Sequence, residues 1–390
     1  MISRSPWAPS RTTEWSAFQL SDDRIHLNHG SYGAVPRAVQ AAQERWRKHM
    51  ESDPTSFFQN ELPGLMRAQA NHVAMRFGGA GKDWVFCENA TAAVNGVLAS
   101  LPLSPGDEIV TSSHVYGAVL KAMRLCAGRR GAKLVIAELP AIAQSDEAIV
   151  EAIARRFTAK TRLLIVDHIT SATATVFPVA AIAARAKAAG IPVLVDGAHA
   201  PGQVPLDVPA LGADWYTGNA HKWFFAPRGC GLLWTTPARQ AQTRPPVLSH
   251  GTEAGYTEAF DWIGTRDVTP WLVFEDAARA HDSFGGPDLM DANRRKAAEG
   301  SALICEALGT VCAAPPSMRA AMATILIKEN GADEALQLRL RQALWTEYKV
   351  IAPLSLFAGR LWLRVSAQVY THPDDYRLCR DAILELRSRF

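Results

Sequence analysis

Between residues 84 and 195 the chain repeats one arrangement. A short apolar run without polar alternation is followed by a longer segment with apolar residues at helical spacing. The apolar runs are 84–87, 108–112, 133–139, 162–168 and 191–195, and the helix-period segments are 92–101, 117–127, 146–157 and 179–189. In 146–157, for example, Ile149, Ile153 and Phe157 fall at i, i+4 and i+8. Strands with no polar face, interleaved with helices, predict an α/β fold with a mostly parallel sheet covered on both sides. In such a sheet the crossovers are right-handed, and ligands bind beyond the carboxyl ends of the strands.

The pattern changes after Asp267. Helical spacing over 271–284 and 289–308 leads to a strand-like run at 322–327, a helix at 335–348 and a strand at 360–369. A last helix carries Tyr376, Cys379, Ile383 and Leu386. Without strict alternation this predicts a smaller α+β lobe. The expected division is an arm or small-domain segment at 1–25, a large domain at 26–270 and a small C-terminal domain at 271–390, in keeping with a length of 390 residues.

Lys plus Arg is 41 and Asp plus Glu 38. With no dense basic cluster, a nucleic-acid partner is not expected. The six cysteines contain no C-x-x-C pair and read as reduced core residues, not as a disulfide frame or zinc site. No run approaches the roughly 20 apolar residues of a membrane span, and 1–18 lacks the apolar core of a signal peptide. The expectation is a cytoplasmic enzyme.

Three local patterns carry chemistry. The run Val193-Leu194-Val195 ends in Asp196-Gly197-Ala198-His199, which puts a carboxylate at the carboxyl end of a strand. Downstream, Thr217-Gly218-Asn219-Ala220-His221-Lys222 is followed by three aromatic residues; an amine among apolar neighbours is biased to its neutral form, as a Schiff-base lysine requires. Asn89-Ala90-Thr91 stands between a strand and a helix, where Asn89 or Thr91 is a natural cap and free amides suit a phosphate. Singly, each has an ordinary reading: a capping Asp196, a snorkelling Lys222, a well-capped helix. In 361–366, alternation puts Trp362, Arg364 and Ser366 on one face, where Arg364 could bind a carboxylate with both nitrogens. Neither G-x-G-x-x-G nor G-x-S-x-G is present, which argues against nicotinamide or α/β-hydrolase chemistry. His26 and His29 have no third ligand at suitable spacing, so no metal is expected.

Together the phosphate site, the strand-end Asp and the His-Lys pair resemble pyridoxal-phosphate enzymes of the class V aminotransferase family, fold type I. Leu27–Ala34, Gly218–Trp223 and Trp262–Asp267 are similar to its isopenicillin N epimerase-like branch. The resemblance runs from about residue 20 to the C-terminus. It implies pyridoxal 5'-phosphate as cofactor, bound as a Schiff base by Lys222, with Asp196 on the pyridinium nitrogen. Thr91 with the Ala90 amide, Asn219 and His221 would hold the phosphate. His199 and Ser171 would approach the ring hydroxyl. Tyr116 would stack over the cofactor, with His114 as the competing choice. Gly264 and Thr265 would reach a phosphate across a homodimer. Arg364, with Asn28 nearby, would take the substrate carboxylate, and Tyr32 and the Phe57-Phe58 pair either line the substrate end or belong to the core.

The reaction stays open at this level. Neither Cys305, in an apolar helix, nor Cys312 sits on the Ser/Gly-rich loop that sulfur transfer needs. Epimerisation requires a proton donor on each face of the α-carbon, Lys222 and Tyr116 or water; elimination requires only Lys222. The leading expectation is an epimerase-like activity on an amino acid, with a C–S lyase or aminotransferase as the alternative. A ligand-binding protein without turnover is the more distant choice.

Overall fold

The computed structural model describes residues 9–387. A seven-stranded sheet is formed by β1 (Trp84–Cys87), β2 (Glu108–Ser112), β3 (Lys133–Ala137), β4 (Thr161–Asp167), β5 (Val193–Gly197), β6 (Trp215–Asn219) and β7 (Gly231–Thr235). Its order is β1-β7-β6-β5-β4-β2-β3. Only β7 runs antiparallel to its neighbours. The strands lack a polar face because both faces are buried. Leu163, Ile165 and Leu194 pack with Val97, Val119 and Met123; the intervening Leu164, Val166, Val193 and Val195 pack with Met66, Ile153 and Ile182 on the other side. The predicted mostly parallel α/β sheet is what forms.

The order in which strands are laid across the sheet reverses between β2 and β4, since β3 pairs on the far side of β2 and all three run parallel. A crevice therefore opens beyond the carboxyl ends of β2, β4, β5 and β6, as expected at a topological switch point. Of the helices predicted beside this sheet, the one expected over 146–157 stops at Ala154. The stretch expected as one helix over 271–284 is two, Thr269–Leu272 and Phe274–Ser283. Trp271, Leu272, Val273 and Phe274 are all buried, and four successive side chains cannot share one helix face, so the helix breaks at Val273.

A second core gathers around an antiparallel sheet of β8 (Met322–Lys328), β9 (Leu354–Phe357) and β10 (Arg360–Ser366), in the order β9-β10-β8. Helices Pro287–Leu308, Glu334–Thr346 and Pro373–Arg387 pack on it. Ile25–His26 pairs with Val350–Ile351, and Ile25 and Leu27 are part of this core. From Leu27 the chain passes directly to the crevice. The Ser366 hydroxyl donates to the Leu27 carbonyl, and the His29 amide donates to the Ser366 hydroxyl at 2.8 Å. Segment 28–33 thereby lies between the two cores. Gly33, at φ 67°, is so close to the His221 carbonyl that a Cβ would overlap it. Only glycine fits there.

Candidate active site

The crevice holds a cavity of about 420 Å³ lined by strand-end and helix-start residues of the large sheet and by Ser31 and Tyr32 of segment 28–33. Its floor is built from strand ends. Asp167 ends β4 and Asp196 lies near the end of β5, and the two are paired in register, so the carboxyl groups sit side by side in the buried sheet. Burial raises both above the ordinary carboxylate range. For Asp167 the neighbouring Asp196 adds to that rise; for Asp196 the Ala198 amide, which donates to Oδ1 at 3.0 Å, and Lys222 oppose it. Asp167 Oδ1 has no hydrogen-bond partner among the described residues.

Lys222 stands on the short helix Ala220–Trp223 that follows β6. Burial lowers its amine to about 8, the Arg364 charge adds to this, and Asp196 and Asp167 oppose it. His199 Nε2 is 3.2 Å from Nζ, and Trp223 Nε1–H donates to His199 Nδ1 at 3.4 Å. The remaining ring proton thus sits on Nε2 and points at an amine that can accept only when neutral. Below the helix, His29 Nε2–H donates to the Lys222 carbonyl at 2.8 Å while the Tyr370 hydroxyl donates to Nδ1 at 2.9 Å. His29 is a buried neutral brace, its imidazole lowered to about 4 by burial.

At the other end of the cavity, Asn89 caps the helix Ala90–Ser100 by accepting from the Ala92 amide at 2.9 Å. Gly231 presses on this cap so closely that a Cβ would meet the Asn89 backbone. The Ala90 amide, expected to face a phosphate, is instead spent on Asn219 Oδ1 at 2.8 Å, because β6 delivers that side chain directly to the helix start. Thr91, Asn219 and His221 line the cavity there, and His221 Nδ1 is held by the Cys230 carbonyl at 3.1 Å.

Behind the lining residues Ser31 and Ser171 stands Arg364 from β10. It is buried, and its guanidinium donates to the Ser171 carbonyl at 2.8 Å and hydroxyl at 3.3 Å, to the Ser31 hydroxyl at 2.9 Å and to Asn28 Oδ1 at 3.4 Å. Burial lowers it only to about 10, so it keeps its charge at neutral pH. Every partner is a neutral oxygen, and among the described residues no carboxylate pairs with it. A buried cation with only neutral partners is a place for an anion. Tyr32, 70% exposed, and Tyr116 line the mouth.

The structure thus brings together Tyr32, Ala90, Thr91, Tyr116, Ser171, Asp196, His199, Asn219, His221 and Lys222, with Asn28 and Arg364 adjoining. His114 is turned away: it bonds Thr173 Oγ1 and the Pro140 carbonyl and packs edge-on against Phe357. Phe57 is core, while Phe58 packs against Trp262 on the surface. Gly264 and Thr265 do not line this cavity; Thr265 borders a separate cleft with Arg47, Phe58 and Asp267. Arg266 pairs with Glu88, which keeps that loop near the capped helix start. Sequence reasoning missed Asp167, although its apolar run ending in Asp is the signal that marked Asp196, and it missed the bracing role of His29.

A lowered amine has a consequence for loading. The second-order rate at which apoprotein takes up pyridoxal phosphate should rise about tenfold per pH unit below pH 8 and level off above it. Stopped-flow absorbance checks this; an ordinary lysine would keep climbing towards about pH 10.4.

The Aminotransferase class-V family model matches residues 32–340. The chain is 30% identical to L-cysteine desulfhydrase of Arabidopsis thaliana, over 92% of this chain and 87% of that one. It is 29% identical to isopenicillin N epimerase of Streptomyces clavuligerus, over 92% and 94%. Among solved structures, a cystine C–S lyase in complex with its product cysteine persulfide superposes with a TM-score of 0.78 at 22% identity, covering 92% of this chain and 97% of that one, which shows a shared fold. The chain belongs to the class V aminotransferase family of pyridoxal 5'-phosphate enzymes.

Proposed function

We propose that the cavity binds pyridoxal 5'-phosphate through Lys222 and removes the α-proton of a cysteine-like amino acid, breaking its Cβ–S bond. The residues fit the cofactor. In a buried carboxyl pair Asp167 Oδ1 has no hydrogen-bond partner among the described residues, a neutral-prone amine stands beside the pair, and a capped helix start with Thr91, Asn219 and His221 lies where an anion would be held. When bound, the cofactor supplies an electron sink for the α-carbon. Asp196 would hold the ring nitrogen protonated, and His199 and Ser171 lie beside its other edge. Arg364 and Asn28 would fix the substrate carboxylate, which orients the α-hydrogen. Lys222 would be the base that removes that proton and returns it to the leaving group.

The observation that carries this reading is a buried Arg364, without a carboxylate partner among the described residues, bonded to the cavity-lining Ser31 and Ser171 near a lowered Lys222 amine. Elimination needs one base, and Lys222 supplies it. Relatives named desulfhydrase and epimerase stand at nearly equal identity, and Tyr116 at the mouth is the observation that favours epimerisation, as a second proton donor. Incubation with cysteine, cystine and longer amino acids in deuterated water decides between them. Release of pyruvate, ammonia and sulfide supports elimination. Deuterium at an inverted α-carbon supports epimerisation, and keto-acid exchange alone would count against both.

The proposal extends to a homodimer in which Gly264 and Thr265 complete the phosphate end of the partner's cavity, since they stand outside their own. Equal mixing of Lys222→Ala and Thr265→Ala proteins should then restore about one quarter of wild-type activity, because half the dimers are hybrids with one intact site. Sites built within one chain would show no recovery.

A further inference from the structure

A cysteine pair lies away from the active-site cavity. Cys305 is in the last turn of the helix Pro287–Leu308, and the chain reverses through Gly309 at φ 63°, with the Thr310 amide bonded to the Cys305 carbonyl at 3.0 Å. This brings Cys312 opposite, with the sulfurs 3.5 Å apart. The Cys312 backbone is bridged to Ile325 on β8, which fixes its position. Arg319 Nη1 lies 3.3 Å from Cys312 Sγ and donates to the Ser301 hydroxyl at 3.1 Å; the guanidinium thus faces a sulfur and a hydroxyl. Both thiols are partly exposed, whereas Cys87, Cys230 and Cys379 are buried. The neighbouring Cys305 thiol, assisted by Arg319 against the effect of burial, holds the Cys312 thiol down to about 7, while Cys305 itself is raised. A thiolate-prone sulfur beside a second thiol is the arrangement of a reactive pair.

We propose that Cys305 and Cys312 form a thiol–disulfide exchange site, which a small-molecule disulfide oxidises to an internal disulfide with Cys312 attacking first. The Cys312 thiolate attacks one sulfur of the disulfide and expels one thiolate, giving a mixed disulfide. Cys305 then loses its proton, attacks Cys312 Sγ and expels the second thiolate. The protein loses two electrons and two protons, and one small disulfide becomes two thiols. The sulfurs need to close by about 1.5 Å to reach bonding distance. Cys126, also partly exposed, has no thiol partner at this distance among the described residues, and burial raises it, so it serves as an internal control.

The test uses the intact protein with oxidised glutathione as probe, read by peptide mapping under non-reducing conditions. Wild type should yield a peptide cross-linked between Cys305 and Cys312. Cys305→Ser should stop at a glutathione adduct on Cys312, and Cys312→Ser should form an adduct on Cys305 at least about tenfold more slowly. The proposal is overturned if both thiols stay reduced while Cys126 reacts, or if Cys305 is the faster of the two. The wild-type map needs no variant to fold.

Discussion

Lys222→Ala protein is expected to lose about three orders of magnitude or more in kcat/KM on any amino-acid substrate, equivalent to about 4 kcal/mol of transition-state stabilisation. The loss follows from position. The amine is the one lysine among the cavity-lining residues, flanked by the His199 ring and by the strand-end carboxyl groups. Nothing else there is a primary amine that could take over. Lys222→Arg separates charge from nucleophilicity: it restores a cation beside Asp196, but a guanidinium stays protonated and cannot attack a carbonyl or take a proton. It should be as inactive as the alanine variant. Steady-state assays with matched thermal melts check this. Activity within tenfold of wild type in either variant would remove Lys222 from the chemistry.

Arg364→Ala should cut kcat/KM for α-carboxylate substrates by roughly 30- to 5000-fold, the 2–5 kcal/mol associated with losing one member of a buried charged pair. The effect should fall on KM, with cofactor affinity within a few-fold of wild type, because the guanidinium reaches Ser171, Ser31 and Asn28 and none of the residues at the phosphate end. Arg364→Lys keeps a charge but loses the planar fork, and should recover part of the loss. An amine substrate without the carboxylate should be turned over equally by wild type and variant. If both substrates suffer alike, the residue supports the fold at the junction of the two cores instead.

Much of the large sheet was legible because strands buried on both faces are written as unbroken apolar runs, and 84–87, 108–112 and 162–168 are such runs. β6 and β7 were harder: Trp215–Asn219 contains Tyr, Thr, Gly and Asn and is wholly buried only because neighbouring strands cover it. The helix Arg37–Ser52 is mostly polar and buries only a few residues, among them Val39, Ala42 and Met50, so composition gave little sign of it. In the site, residues at strand ends and helix starts were readable, since strand direction places them. Asp167 carries the same local signal as Asp196, an apolar run ending in Asp, but its register with Asp196 is a relation between strands that one local run does not contain. The bond from the Ala90 amide to Asn219 Oδ1 was not legible for the same reason, as the two lie 129 residues apart.

The central claim is that Lys222 forms the covalent link to the cofactor. Reduction of the pyridoxal-phosphate-loaded enzyme with borohydride, followed by peptide mapping, tests it directly. The structure predicts one phosphopyridoxyl group per chain, on the peptide that contains Lys222. The label on another lysine, or no label on an active enzyme, would contradict the assignment.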